Sequence, residues 1–278
     1  MADLFKKRRL QKRLERWQRQ TPTGEVTVFQ TRSQYHRISV VEKGGRRFLK
    51  FGHLPQTAID IENGFSSCLP YVNYLHLPLA INPEGKKALL IGLGGGALPK
   101  RMWRDYPELE IEVVEIDPVV VEVARSYFGL PQDPRLTVTV GDGRDYVAST
   151  GKVFDYVIID AFRSESVPDQ LVTEDFMRQV KARLTPEGVL TYNLIGAVQG
   201  HQSGPFLKIR QCVSEIWKKT FVFPLGLAKS SDPDRIRNII LLATDTEISR
   251  ETLENRIKGR AGGRVTVPGF PNFRFDLY

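Results

Sequence analysis

The chain has 278 residues, of which 41% are apolar and 26% charged, values typical of a folded globular protein rather than a disordered or fibrous one. No apolar run approaches the roughly 18 residues of a membrane span, and no apolar segment follows the basic N-terminus as in a secretory signal. The two cysteines, Cys68 and Cys212, show neither metal-ligand spacing nor a disulfide framework, so we expect a cytoplasmic protein without a metal.

The net charge of +8 is concentrated at the N-terminus. Residues 1–20 contain eight Lys and Arg against two acids. Leu10, Leu14 and Trp17 follow helical spacing, which predicts a basic helical arm with a narrow apolar stripe. Such an arm is able to bind nucleic acid or an anionic membrane surface. A solvated helix that rests its stripe on the body or on a partner subunit is favoured, because no aromatic-rich basic surface follows it.

Residues 21–80 predict a small N-terminal β-domain with a linking helix. Alternating apolar residues indicate three short strands joined partly through a Gly-Gly hairpin, at 25–30, 35–42 and 46–51. An apolar segment at 71–79 is predicted to be helical. Within it, His76 is expected to be a surface residue or a hydrogen-bonded core residue rather than a metal ligand.

Residues 81–260 alternate between strands and helices, which predicts a parallel sheet covered on both faces. Five strands are expected at 88–92, 111–116, 136–140, 156–160 and 189–194. Two further strands, at 220–225 and 238–244, have no helix-length segment between them, so this last pair is expected to be antiparallel. A seven-stranded sheet with such a hairpin is not the dehydrogenase pattern of a second βαβαβ half. Residues 261–278 are predicted to form a C-terminal tail.

The most informative stretch is the strand–turn–helix–strand segment 88–117. A short apolar run enters a loop with four glycines in five positions, and a second apolar run ends near Glu115. Glycines let a ligand approach the backbone, and a helix that begins there directs free N–H groups at it. Glu115 lies 23 residues after Gly92, close to the spacing at which an acid accepts ribose hydroxyls. The segment therefore predicts an adenosine-type ligand, without deciding between a dinucleotide and a smaller nucleoside.

Four motifs, in this order, resemble the spermidine synthase (polyamine aminopropyltransferase) family. They are the glycine loop, Val114-Glu115-x-Asp117, Gly141-Asp142-Gly143 and Val157-Ile158-Ile159-Asp160. The resemblance covers about residues 35–245. It implies an α/β, Rossmann-like class I AdoMet-dependent methyltransferase fold, preceded by a small β-domain.

The resemblance also implies a role for each motif. The glycine loop would line the amino-acid or aminopropyl end of the donor, and the acid after the second strand would bind the ribose. The Gly-Asp-Gly turn would bind adenine, the acid after the fourth strand would be catalytic, and a glutamine of the β-domain would lie near the substrate. In this chain these residues are Gly92, Gly94, Gly95, Gly96, Glu115, Asp142, Gly143, Asp160 and Gln56.

The chain departs from the family pattern at the donor tail and at the acceptor. The family's glycine loop carries an aspartate that binds the aminopropyl amine, and this chain has Gly95 there. After the catalytic acid the family has Ser-Ser-Asp-Pro, whereas this chain has Ala-Phe-Arg-Ser at 161–164. The family's Tyr-x-Glu has no clear match around Tyr71.

Four functions follow as alternatives. Transfer of an aminopropyl group from decarboxylated AdoMet to an amine stands first, with Asp160 removing the amine proton. An acidic groove for the amine would also include Glu165, Asp169, Glu174 and Asp175, although the last two are equally suited to a helix N-terminus. Methyl transfer from AdoMet is favoured by Gly95, because the methionine carboxylate would not meet an anion. A nucleoside- or nucleic-acid-binding protein and an NAD-dependent oxidoreductase rank lower, and a homodimer is expected.

Overall fold

The computed structural model describes residues 24–162, 167–226 and 232–258. The basic arm 1–20, the residues Arg163, Ser164 and Glu165, and the tail 261–278 lie outside the described residues. Within the described ranges, no helix is both long enough and apolar enough to cross a membrane.

The N-terminal sheet contains four antiparallel strands in the order β1-β2-β3-β4, one more than the sequence predicts. They are β1 (Val26–Arg32), β2 (Arg37–Lys43), β3 (Arg46–Phe51) and β4 (Leu54–Asp60). Gly44 and Gly45, with φ of 55° and 73°, form the predicted hairpin between β2 and β3. The expectation of three strands is wrong because β4 contains Pro55, which argues against a strand in sequence. Pro55 is tolerated because β4 is an edge strand of the sheet and because the pairing of β3 with β4 shifts register where Pro55 lies opposite Lys50.

The linking segment forms two one-turn helices, α1 (Tyr71–Tyr74) and α2 (Pro78–Ile81), instead of the single predicted helix. Pro78 has no N–H to donate to the carbonyl of residue 74, so the hydrogen-bond ladder of a single helix is interrupted there. His76 lies between them, fully buried beside the Tyr106 ring. Burial lowers its pKa to about 3, and neither ring nitrogen has a hydrogen-bond partner among the described residues. The prediction of a surface or hydrogen-bonded histidine is therefore wrong.

The remaining described elements form the larger α/β unit. Its strands are β5 (Lys87–Ile91), β6 (Glu110–Glu115), β7 (Leu136–Val140), β8 (Phe154–Ile159), β9 (Leu184–Gly196), β10 (Lys219–Pro224) and β11 (Arg237–Thr244). Its helices are α3 (Ala97–Asp105), α4 (Pro118–Phe128), α5 (Gly143–Ser149), α6 (Glu174–Ala182), α7 (Gly204–Ile216) and α8 (Arg250–Lys258), with a 3-10 turn at Asp169–Leu171.

The seven strands are arranged in the order β10-β11-β9-β8-β5-β6-β7. The pairs among β5 to β9 are parallel, whereas β11 runs antiparallel to both β9 and β10. This order confirms the predicted mostly parallel sheet with its C-terminal antiparallel hairpin. Side chains that alternate along the central strands enter different cores, as shown by Leu90 and Leu89. Each fully buried side chain of this kind stabilises the fold by roughly 1.5–3 kcal/mol.

A third core joins the small sheet to the α/β unit. Ile38, Val40 and Leu49 of the sheet pack against Val123 and Phe128 of α4. The sheet is further attached by Ser33, whose hydroxyl donates to Asp117 at the start of α4. This packing places β4 against the glycine loop, at the carboxyl ends of the parallel strands.

Candidate active site

A cavity of about 510 Å³ opens at the carboxyl ends of β5, β6, β7 and β8 and is closed on one side by the small sheet. Its size and position are those of a small-molecule site in an α/β protein. Among the described residues that line it, none is Lys or Arg, and four are acidic: Glu115, Asp142, Asp160 and Asp169. Such walls favour a cationic ligand.

The glycine loop follows β5 and forms part of the cavity wall through Gly92 and Gly94. Gly92 has a φ of 100°, and a Cβ there would lie 2.3 Å from the carbonyl oxygen of Asp160. Only glycine fits such a close approach of two backbones. Gly96 adopts a left-handed conformation directly before α3, so the loop turns sharply into a helix whose first residues, Ala97 and Leu98, line the cavity.

Gly95 and Gly96 are not among the described residues that line the cavity. The N–H of Gly95 donates to Thr57 Oγ1 at 2.8 Å. A Cβ at position 95 would lie 2.9 Å from the Thr57 methyl group and 3.1 Å from the Phe128 ring. Thr57, from β4, thus fills the volume that a side chain at position 95 would need.

Glu115 ends β6 and is nearly fully buried. Its Oε2 accepts from the Leu93 N–H and its Oε1 from the Asp117 N–H, both at 2.9 Å. Burial raises its pKa, and these backbone hydrogen bonds oppose the rise. Each oxygen retains a further acceptor site, so the carboxylate is oriented to bind two hydroxyl groups such as those of a ribose.

Asp142 and Gly143 form the turn that begins α5. Asp142 Oδ1 accepts from the Arg144 N–H at 2.7 Å and caps the helix, while Oδ2 accepts from Gln170 Nε2 at 3.3 Å. At Gly143 a Cβ would lie 2.4 Å from Ile91 Cγ2, which requires glycine for close packing on β5. The turn offers the cavity a carboxylate oxygen that is able to accept from an exocyclic amino group.

Asp160 follows β8 and lines the same cavity. Burial raises the pKa of Asp160 to about 6. Asn193 Nδ2 donates to its Oδ1 at 2.8 Å, and the Tyr71 hydroxyl also hydrogen-bonds the carboxylate. Burial, followed by the charge of Asp160, keeps the pKa of Tyr71 well above its ordinary value, so the tyrosine remains a donor. At neutral pH a carboxylate with a pKa of about 6 is mostly ionised and is a stronger base than an ordinary aspartate. Both properties suit Asp160 to act as a general base.

The wall opposite the strands comes from the small sheet. Gln56, in β4, lines the cavity, and its carbonyl oxygen lies 3.5 Å from the Tyr71 hydroxyl. The His36 ring stacks on Phe51 with 3.9 Å between the ring centroids. This aromatic wall and the acids together suit an organic cation.

The predicted acidic groove is only partly assembled in the described residues. Asp160 and Asp169 line the cavity, whereas Glu165 lies outside the described residues. Glu174 and Asp175 occupy the first turn of α6, where they pair with Arg178 and Arg144. These two acids complement a helix N-terminus instead of lining the cavity.

The structure adds three residues that the sequence reasoning missed: Thr57, Tyr71 and Asn193. Asn193 carried a usable signal, because it is a polar residue within the apolar run of β9, beside the strand that Asp160 ends. Carboxyl ends of neighbouring parallel strands meet at one edge. No three metal-ligating side chains converge within the part of the chain that the structure describes.

Comparisons with known proteins agree with this geometry. A family model described as the spermine/spermidine synthase domain matches residues 72–204. The polyamine aminopropyltransferase of Vibrio vulnificus is 34% identical over 197 residues, which are 67% of this chain and 66% of that protein. Putrescine N-methyltransferase 2 of Nicotiana tabacum is 35% identical over 175 residues, 60% of this chain and 47% of that protein. The matches thus span two thirds or less of the length of these relatives.

The fold agrees with a solved structure as well. A probable spermidine synthase from Corynebacterium glutamicum superposes with a TM-score of 0.72 at 19% identity, over 83% of this chain and 87% of that one. At this identity the superposition shows the fold alone. The superposed part includes both the small sheet and the α/β unit, because the α/β unit alone is too short to make up 83% of this chain.

Proposed function

Because the chain belongs to the spermidine synthase family, with the class I AdoMet-dependent methyltransferase fold, we propose that it transfers an aminopropyl group from decarboxylated AdoMet to an amine. The observation that carries the proposal is Asp160, a half-buried carboxylate of the cavity wall whose pKa is raised to about 6 and which receives hydrogen bonds from Tyr71 and Asn193. A base of this strength is suited to accept a proton from an amine nucleophile near neutral pH.

The donor end of the cavity would hold the adenosine. Glu115 would accept from the ribose hydroxyls, and Asp142 from the adenine amino group, as the resemblance to the family implies. Gly92 and Gly94 line the cavity, and the sulfonium and its tail would lie against their backbone. A sulfonium is a cation, which the acidic walls favour.

The reaction requires an unprotonated amine in line with the carbon to be transferred, about 3–3.5 Å from it. The amine nitrogen forms a bond to that carbon while the carbon–sulfur bond breaks and its electron pair stays on sulfur. The nitrogen then loses one proton, which Asp160 accepts. Tyr71 and Asn193 hold the carboxylate in place during this exchange.

Methyl transfer from AdoMet is the second candidate. Gly95 contributes no carboxylate, and Thr57 fills the space beside it. The tail of AdoMet carries a carboxylate, which this neutral loop would not repel. The Nicotiana tabacum relative, named a putrescine N-methyltransferase, supports this alternative because its name combines the same type of acceptor with methyl transfer.

The decisive experiment measures donor binding and transfer together. Purified protein is titrated calorimetrically with decarboxylated AdoMet, AdoMet and NAD, and each bound donor is then incubated with short diamines. Tighter binding of decarboxylated AdoMet with an aminopropylated product would establish the first proposal. Methylated product would establish the second, and a folded protein that binds neither sulfonium would refute both.

The oligomeric state and the basic arm remain predictions from the sequence. We propose a homodimer, which light scattering of the full chain would test. Nucleic-acid binding through residues 1–20 would show itself as an affinity that falls steeply with salt and that Asp160→Asn leaves unchanged.

A further inference from the structure

Two asparagines stand in line behind Asp160. Asn193 lies in β9 and is almost completely buried. Asn238 lies in β11, where it pairs with Ile195, so that it is diagonal to Asn193 on the same face of the sheet. Asn193 Nδ2 donates to Asp160 Oδ1 at 2.8 Å, and Asn238 Nδ2 donates to Asn193 Oδ1 at 3.1 Å.

The chemistry of these groups permits one orientation. An ionised carboxylate only accepts hydrogen bonds, so Asn193 must direct its NH2 group at Asp160. Its carbonyl oxygen then points away, towards Asn238. A lone asparagine is able to rotate its amide by half a turn and place its oxygen against the carboxylate, which would repel it. The N–H of Asn238 stabilises the orientation that donates to Asp160.

We propose that Asn193 and Asn238 form an oriented amide pair that holds Oδ1 of Asp160 and sets the pH range over which Asp160 accepts a proton. The pair is a positioning device, because neither asparagine is among the residues that line the cavity. Its consequence for catalysis rests on the proposed function, in which Asp160 accepts the proton of the amine.

The pKa of Asp160 also depends on the other groups around it. Tyr71 of α1 also hydrogen-bonds the carboxylate, and the backbone of Gly92 lies against the backbone carbonyl of Asp160. The remaining acids of the cavity are Glu115, Asp142 and Asp169, while Arg163 and Glu165 lie outside the described residues. Burial raises the pKa of Asp160, and Asn193, then Tyr71, lower it. Without the amide donor of Asn193, the pKa of Asp160 should therefore rise further.

The test is a pH titration of the Asp160 carboxyl carbon by NMR in the full chain, with Asp160→Asn to assign the signal. Asn193→Leu removes the donor, and we expect the pKa to rise by about one. Asn238→Leu removes only the group that orients Asn193, and the pKa should rise by a few tenths. Thr191→Val is the matched control, because Thr191 lies on the same face of β9 and its hydroxyl has no hydrogen-bond partner in the described structure.

An unchanged pKa in folded Asn193→Leu, or an Asn238→Leu titration that equals the control, would overturn the proposal. Asn238 is only half-buried, so Asn238→Ala serves as a second variant if Asn193→Leu does not fold. The acidic limb of the pH–rate profile should move with the NMR value in each variant. Because the titration needs no turnover, a failure of the proposed transfer activity would be seen separately from a failure of the amide pair.

Discussion

The two ends of the cavity hold their carboxylates in different ways. At the end that we propose binds the donor, Glu115 accepts from two backbone N–H groups, and Asp142 accepts from the Arg144 N–H with one oxygen and from the Gln170 side chain with the other. At the other end of the cavity, Asp160 is held by the side chains of Tyr71 and Asn193, which come from distant parts of the chain. Backbone donors make fixed acceptors for hydroxyl and amino groups. Side-chain donors leave a carboxylate whose proton affinity can be adjusted by substitution.

The largest expected effect separates these ends directly. Asp160→Asn removes the proton acceptor and should lower the transfer rate about 10² to 10⁴-fold, while the dissociation constant of the donor changes little. Single-turnover rates and calorimetry on the same preparation provide the two measurements. Equal losses in rate and in donor affinity would show that the ends are not independent.

The same substitution should stabilise the protein. The pKa of Asp160 is raised to about 6 by burial, so the folded state binds the proton more tightly than the unfolded chain does. The ionised carboxylate therefore destabilises the fold above pH 6, and this cost disappears as the pH falls towards 4. Asp160→Asn should raise the free energy of unfolding at pH 8 by up to roughly 3 kcal/mol, and by little at pH 4.

Denaturant unfolding at pH 8, 6 and 4 measures that gain. Asp169→Asn provides the control, because Asp169 lines the cavity but is exposed. A stability gain for Asp160→Asn that is the same at all three pH values would contradict the explanation that the gain comes from removing the ionised carboxylate.

At the donor end, Glu115→Gln should weaken binding of decarboxylated AdoMet and of AdoMet alike, by about 10- to 100-fold. The amide keeps one acceptor oxygen, and its NH2 group faces backbone N–H donors that need an acceptor. The pH dependence of transfer should stay unchanged. Glu110→Gln, exposed at the start of β6, is the matched control, and a shifted pH profile in Glu115→Gln would count against the separation of the two ends.

The smallest effect concerns the contact between the small sheet and the glycine loop. Gly95→Ala should destabilise the fold by about 1–3 kcal/mol, because the new methyl group would meet the Thr57 methyl and Phe128. Thr57→Ala alone loses the hydrogen bond to Gly95, at about 1 kcal/mol. In a double-mutant cycle the combined variant should lose less than the sum of the two. Simple additivity would mean that Thr57 does not set the space at position 95.

The same contrast explains how far the sequence could predict the molecule. The glycine loop, Glu115 and Asp142 are local patterns in which a strand end, a turn and a helix start follow one another. The seven-stranded, mostly parallel sheet with its hairpin follows from the same alternation, whereas the order of its strands does not. Tyr71 carries no local pattern, and Asn193 is marked only as a polar residue within the apolar run of β9. Both reach Asp160 only when α1 and β9 pack beside β8. The fourth strand of the small sheet escaped prediction for a different reason, since Pro55 is tolerated only where the ladder shifts register.

The contact between Thr57 and Gly95 also bears on how such proteins diversify. Thr57 belongs to the small sheet and Gly95 to the loop after β5, and the Thr57 side chain occupies the space that a side chain at position 95 would need. If the N-terminal sheet were exchanged between relatives, the residue that contacts the glycine loop would change. Gln56 and the aromatic wall would be replaced at the same time. Variation at position 95 is thus constrained by β4, and the small sheet and the loop are expected to be inherited as a matched set.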